Sequence, residues 1–347
     1  MPLELIATEP RTPVLREYEP ADPGPEQVLI DSDRSTFKHG TGLRGYRADT
    51  RDYTISFDWE AGLHREGPME RPSYPISLGN MTVGTVREMG GAVEAFSPGD
   101  RVYGHLPIRG THTVDADAVS PAPEDMSDAA ILYADPARVG MHTVRVAGVG
   151  IADRVLVVGA GAIGQMAAQL ARHSGADTVW VSEPIDRRRA AAIDHGADRG
   201  LNPVDEDVGA AVKDELSAGN RPGVDMTIET SGSYAGLHDA IRAATFGGTV
   251  ASCGYYTDDP SNVHLAGEWH RNRLDMRSVR PPSEPHREAP RWSFSRLRSE
   301  AFALLREGNL STDGLLDPIV PIEKADDGIR LIDEEPERSI KLGVSYE

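Results

Sequence analysis

Three glycines, Gly159, Gly161 and Gly164, stand in G-x-G-x-x-G spacing directly after an unbroken apolar run, Val155 to Val158. That run suits a strand buried on both faces. A helical pattern follows from Gln165 to about His173, then a second strand, Thr178 to Val181, which leads to Glu183. An acidic residue about 20 positions beyond the glycines completes the pattern of a dinucleotide site. Gly159 permits the tight turn out of the strand. Gly161 leaves room for a pyrophosphate where a Cβ would collide, and Gly164 lets helix and strand pack closely. The free N–H groups at the helix start, along Gly161-Ala162-Ile163-Gly164, and the positive end of its dipole then hold the phosphates. Glu183 is placed to accept hydrogen bonds from the adenosine ribose.

A sheet must hold these residues in place. After Glu183 the pattern continues as a helix over Arg187–His195, a short strand ending at Leu201-Asn202-Pro203, and a helix over Glu206–Ser217. A buried strand, Val224–Glu229, runs into Thr230-Ser231-Gly232. A helix (Tyr234–Thr245) and a strand ending at Cys253-Gly254 come next. Strands alternating with helices give a doubly wound parallel sheet, whose ligand crevice lies at the strands' C-terminal ends. Thr230, Ser231, Cys253 and Gly254 are therefore further cofactor-binding candidates.

The preceding residues read differently. Leu3–Ile6, Gln27–Asp31, two stretches flanking Gly90-Gly91, and Arg101–Tyr103 after Pro98-Gly99-Asp100 are short strands between glycine and proline turns. Such a pattern predicts a compact β-barrel. Residues 43–75 read as an irregular lobe without a helix of more than two turns, and helical periodicity begins at Met126. The expected division is a first domain over 1–125, a nucleotide domain over 126–284, and a return to the first domain over 285–347. Residues 281–292 form the crossing segment, and Phe294–Glu307 is a helix.

With 347 residues, two domains are the default. The net charge of −19 disfavours nucleic acid and anionic membranes as partners. The single cysteine, Cys253, excludes disulfides within the chain and a four-cysteine zinc lobe. No apolar run reaches membrane-spanning length, and no signal peptide is visible at the start, so a cytoplasmic protein is expected. Only four lysines (Lys38, Lys213, Lys324, Lys341) accompany 55 acidic residues. This balance resembles that of proteins from extremely salt-loving organisms, where screening suppresses the self-repulsion of an acidic surface.

Beyond the glycine motif, the chain carries Gly79-x-x-x-x-Gly84, Pro98-Gly99-Asp100-Arg101-Val102, Asp135-Pro-Ala-Arg-Val-Gly-Met-His142 and Gly247-Gly248. With these pieces it resembles the medium-chain dehydrogenase/reductase superfamily, of the zinc alcohol, polyol and threonine dehydrogenase type, over nearly its whole length. The resemblance implies a GroES-like β-barrel catalytic domain, a Rossmann domain, a cleft between them, and a homodimer or homotetramer. It departs at the zinc motifs. Where relatives carry C-G-[ST]-D the chain reads His39-Gly40-Thr41-Gly42. Their G-H-E is Gly79-Asn80-Met81, and the glutamate before proline is Asp135. Asn80 is a poor zinc ligand and Met81 a poorer one. No catalytic zinc is expected.

His39 then becomes the natural acid/base, as an imidazole with an ordinary pKa of about 6.5. Asp135 would orient it, Thr41 matches the family's proton-relaying hydroxyl, and Asn80 would donate an amide N–H to a substrate oxygen. Trp59, Tyr103 and His105 are candidate pocket residues. Glu183 favours NAD over NADP, because a carboxylate there repels a 2′-phosphate. Arg187, Arg188 and Arg189 weigh the other way, with Arg188 expected over the adenine. The expected activity is hydride transfer between NAD(P) and an alcohol or carbonyl substrate. A zinc-free enone or quinone reductase, a non-catalytic NAD(P)-binding protein, and a zinc enzyme with unusual ligands are the rivals.

Overall fold

The computed structural model describes all residues except 49–54, 67–72, 218–220, 257–259, 261–262, 281–285, 287 and 347. The chain divides into two compact units, one of residues Met1–Leu132 with Leu316–Glu347, the other of Tyr133–Leu315.

The first unit opens with β1 (Leu3–Glu9), β2 (Thr12–Glu17) and β3 (Gln27–Thr36), followed by α1 (His39–Arg47). The strands β4 (Ile55–Asp58) and β5 (Leu63–Glu66) form a separate hairpin. Then come β6 (Ile76–Ser77), β7 (Met81–Met89), β8 (Arg101–Gly104), β9 (Thr111–Asp115), β10 (Val119–Pro121) and α2 (Asp128–Leu132). The long β3–β7 ladder shifts register between Ser32 and Arg34, and Gly84 sits there because a Cβ would lie 2.3 Å from the Asp31 carbonyl.

One sequence expectation needs correction here. The stretch after Gly90-Gly91 is not a strand. Gly90 and Ala92 donate their N–H groups to the carbonyls of Gln27 and Pro25, at 2.8 Å each, so the segment turns onto the 24–27 loop. Val93 and Phe96 then plug the core beneath it. Helix α1 spans nine residues, the last five of them in the lobe read without a helix of more than two turns. Three glycines in nine residues hide it, since each costs roughly 1 kcal/mol in a helix interior relative to alanine. Packing overrides that cost: Leu43 and Tyr46 are buried, and a Cβ on Gly42 would lie 2.6 Å from the Phe37 ring.

The second unit begins with α3 (Ala134–Ala147) and β11 (Arg154–Val158), followed by α4 (Ala162–His173) and β12 (Thr178–Ser182). It continues through α5 (Asp186–Asp194), β13 (Arg199–Leu201), α6 (Val208–Glu215), β14 (Val224–Glu229), α7 (Tyr234–Ala243), β15 (Ala244–Ser252), α8 (Glu268–Arg271), β16 (Asp275–Ser278) and α9 (Phe294–Arg306). The strands form one sheet in the order β13-β12-β11-β14-β15-β16, every pair parallel. This is the doubly wound arrangement, and its strand order reverses between β11 and β14. Val155, Leu156 and Val157 are fully buried, and so are Met166, Ala167 and Ala171 on the helix behind them.

The chain leaves this unit later than the expected 284. Helix α9 packs on α3, with the Arg138 guanidinium 4.1 Å over the Phe294 ring and Arg145 3.6 Å over Trp292. The return is made by β17 (Ile319–Pro321), α10 (Ala325–Glu334) and β18 (Gly343–Ser345). Strand β18 pairs with β3, extending the first unit's main sheet to the order β10-β8-β7-β3-β18-β17, with β9 also on β3. Ile329, Ile332 and Leu342 of this return join Leu5, Phe37, Leu43 and Tyr46 in one core. Half of the expected crossing segment, 281–285 and 287, lies outside the described residues.

Candidate dinucleotide site

The turn from β11 into α4 stands at the point where strand order reverses. Gly159 has φ +89°, and a Cβ there would lie 2.7 Å from the Ser231 amide nitrogen. Gly164 is tighter still, with its Cβ position 1.8 Å from the Gly159 carbonyl oxygen. Gly161 is the opposite case: nothing lies within 4 Å of its Cβ position. It caps α4 without any side-chain cap, which leaves the first N–H groups of the helix open to a ligand anion, beside Ala162 and Ile163. Two glycines are thus filled by protein and the middle one borders open space, which fits a pyrophosphate.

Glu183 follows β12 and is only 4% exposed. One carboxylate oxygen accepts the Ala160 N–H at 2.7 Å, the other the Ile185 N–H at 3.1 Å. Arg188, on α5, is half-buried. Burial pulls its guanidinium below the usual arginine range, while Glu183 and Tyr133 oppose that shift. Arg187 is exposed on the same helix. Arg189 donates to the Glu183 carbonyl at 2.6 Å and pairs with Asp186. Its stem lies across Gly200, whose Cβ would sit 2.3 Å from Arg189 Cγ.

On the other side of β11, Glu229 ends β14 opposite Val158 and is fully buried. It accepts the Ser231 N–H (2.7 Å), the Ser231 hydroxyl (2.5 Å), the Gly232 N–H (2.9 Å) and the Tyr256 hydroxyl. Burial raises the Glu229 carboxyl, and these donors oppose it. Burial also pushes the Tyr256 phenol up, with Glu229 adding to the effect. Thr230 hydrogen-bonds the carbonyls of Val158 (3.1 Å) and Gly159 (2.7 Å), locking the glycine turn from the second side. Cys253 donates its N–H to the Glu229 carbonyl at 2.8 Å, and Gly254 passes so close that a Cβ would lie 2.5 Å from Glu229 Oε2. All the nucleotide candidates therefore gather at the C-terminal ends of β11, β12, β14 and β15.

Gln165, Glu229 and Tyr256 escaped the sequence reading. A carboxylate as the last residue of a buried strand, and an amide next to the third glycine on an otherwise apolar helix face, were the available signals.

The remaining candidates fall in both units. In the first, His39 starts α1, and its Nε2 accepts the Leu342 N–H at 2.9 Å, which places the proton of the neutral ring on Nδ1. Thr41 is exposed in the first turn of the same helix. Asn80 follows Gly79, whose φ is +153° and whose Cβ position lies 2.5 Å from the Ile108 nitrogen. Tyr103 is on β8 and His105 is exposed just after it. Trp59 follows β4 with 70% exposure, its ring edge-on to Phe57 at 4.8 Å. In the second unit, Asp135 is 4% exposed on α3 and pairs with Arg138 at 2.5 Å. Among the described residues, no three His, Cys, Asp or Glu side chains are grouped to hold a metal ion. Nor is any helix among them long and apolar enough to cross a membrane.

A doubly wound sheet with this glycine cradle at its switch point, joined in sequence to a mostly antiparallel β unit, has the features of a dinucleotide-binding protein. Comparison with known proteins agrees. Residues 54–118 match the alcohol dehydrogenase GroES-like domain, and residues 162–290 match the zinc-binding dehydrogenase family. The chain is 35% identical to D-guloside 3-dehydrogenase of Escherichia coli K12 over 353 aligned positions, covering 99% of both chains. It is 32% identical to L-threonine 3-dehydrogenase of Pyrococcus horikoshii over 70% of this chain and 72% of that one. Its fold superposes on 2R,3R-butanediol dehydrogenase from Bacillus subtilis with a TM-score of 0.77, at 19% identity and full coverage of both chains. The chain belongs to the medium-chain dehydrogenase/reductase superfamily and is an NAD(P)-dependent dehydrogenase.

Proposed function

We propose that the protein oxidises a secondary alcohol of a hydroxyl-rich substrate of the glycoside class, with NAD as the preferred acceptor and without a catalytic zinc. The full-length relative named for D-guloside supports the substrate class, since its 35% identity extends over both units. The observation that carries the cofactor choice is the buried Glu183 carboxylate beside the open Gly161. A ribose diol gains hydrogen bonds there, and a 2′-phosphate meets a fixed negative charge. Arg189 would be the natural counter-charge for such a phosphate, but it is held by the Glu183 carbonyl and Asp186.

The zinc reading rests on donor chemistry. Where relatives offer thiolate, imidazole and carboxylate, this chain offers an imidazole whose Nε2 accepts a backbone N–H, an amide, and a carboxylate paired with Arg138. The substrate oxygen is held by hydrogen-bond donors instead. His39, with its proton on Nδ1, is one, and the Asn80 amide is another. His39 in this tautomer stabilises an alkoxide rather than removing its proton. The exposed Thr41 hydroxyl passes that proton to water. When bound, NAD supplies nicotinamide C4 as the hydride acceptor, and the carbinol carbon becomes a carbonyl. The acidic, lysine-poor composition supports work in a high-salt cytoplasm.

The test is initial-rate NADH formation over a panel of methyl glycosides, free polyols, threonine and 2,3-butanediol, with NAD and NADP in parallel. Turnover of glycosides with NAD is the expected result. Turnover confined to threonine or butanediol removes the substrate class.

A further inference from the structure

Ala160, the residue between the first two glycines, has both ends of its peptide environment held by side chains. Glu183 accepts its N–H at 2.7 Å. Gln165, fully buried on the first turn of α4, donates one N–H of its amide to the Ala160 carbonyl at 3.0 Å. The same amide nitrogen donates to the Arg188 carbonyl on α5 at 2.7 Å. Arg189, the next residue of α5, closes the circuit by donating to the Glu183 carbonyl at 2.6 Å. The glycine turn, α4, the end of β12 and α5 are thereby joined in one ring of hydrogen bonds.

Two features single out Gln165. Its acceptor, Oε1, is buried with no hydrogen-bond partner. Turning the amide over would set an oxygen against two carbonyls, so the nitrogen must face them and the oxygen is left unsatisfied. One turn on, Gln169 bears the same amide and uses both ends, donating to the Ser311 carbonyl (3.0 Å) and accepting the Ser311 N–H (2.8 Å). An orphan buried acceptor is costly, and a site with nothing to gain from two donors would favour an apolar side chain.

We propose that Gln165 is a positioning residue for the dinucleotide, acting through the Ala160 peptide. It fixes the glycine turn against α5, so that the helix N–H groups and Glu183 meet the cofactor without reorganising. This rests on the dinucleotide reading of the site. Pre-organisation of this kind lowers the ordering cost of binding and leaves the hydride step itself untouched.

The experiment measures Kd for NADH and for ADP-ribose, with kcat at saturating cofactor, in the wild type and in Gln165→Met. Loss of two buried donors should raise both dissociation constants in the same proportion, by roughly tenfold or more, with kcat within about twofold. A wild-type Kd in a folded Gln165→Met overturns the proposal, as does a loss confined to kcat. Should the methionine variant fail to fold, Gln165→Glu replaces it as an isostere. Its Kd should climb as pH ionises the new carboxyl against the two carbonyls, while the wild-type Kd stays level. A pH-independent, wild-type Kd in Gln165→Glu also overturns it. If the wild type itself binds neither NADH nor NADPH, the dinucleotide reading fails first, and Gln165 is not the cause.

Discussion

The Glu183 carboxylate accepts the Ala160 backbone N–H at 2.7 Å, so the acid that would hold the adenosine ribose also braces the turn that would hold the phosphates. Glu183→Gln should therefore affect two things at once. The amide cannot repel a 2′-phosphate, and it accepts less strongly from the turn. KM for NAD should rise about tenfold, and the ratio of kcat/KM for NADP over NAD should rise by more than that. Steady-state kinetics with both cofactors gives both numbers. An unchanged cofactor ratio would remove Glu183 from selectivity.

Gly161 and Gly164 predict opposite phenotypes from the same substitution. Gly161→Ala meets open space at φ −70°, so folding should be unaffected while NADH affinity collapses. Gly164→Ala puts a methyl 1.8 Å from the Gly159 carbonyl and should destabilise the fold by about 1–3 kcal/mol. Thermal unfolding paired with NADH titration separates the two. Equal melting losses in both variants would contradict the assigned roles.

His39→Ala should lower kcat by about 10²- to 10³-fold, the usual effect of removing a donor to a developing oxyanion, with NADH affinity unchanged. His39→Gln restores an N–H and should recover part of the loss. Wild-type turnover in His39→Ala would take His39 out of the mechanism.

His112 provides a stability prediction. It is 4% exposed on β9, and burial, with Arg109 nearby, lowers its pKa from 6.5 to about 4. The fold thus holds it neutral, and between these values the unfolded chain binds more protons. Its contribution is intact above pH 6.5 and is lost as pH falls towards 4. His112→Asn should flatten this part of the melting-temperature profile relative to wild type. Parallel profiles over that window would show that His112 is not titrating as described. Asp239 acts in the other sense. Burial raises it from 3.8 to about 6, so its contribution is lost as pH rises through 6, and Asp239→Asn should stabilise the protein at neutral pH.

The two units were not equally legible in sequence. The nucleotide unit announces itself because its central strand is buried on both faces and its glycine spacing is local in sequence, with Gly159 and Gly164 demanded by protein contacts and Gly161 left open. The boundary with the first unit came out early, since α9 joins the second unit through Arg138 on Phe294, a long-range pairing that no local pattern encodes. Helix α1 is concealed by its three glycines, of which Gly42 is required by packing against Phe37. Gln165 and Glu229 look ordinary in sequence, and only the fold shows that each is buried among backbone groups it must satisfy.

The most direct measurement is the initial rate of NADH formation from a methyl glycoside after exhaustive removal of metal by chelator, with NAD and NADP compared side by side. Undiminished activity with NAD, at least tenfold above NADP in kcat/KM, is the predicted result. Activity lost on chelation and restored by zinc, or a preference for NADP, would contradict it.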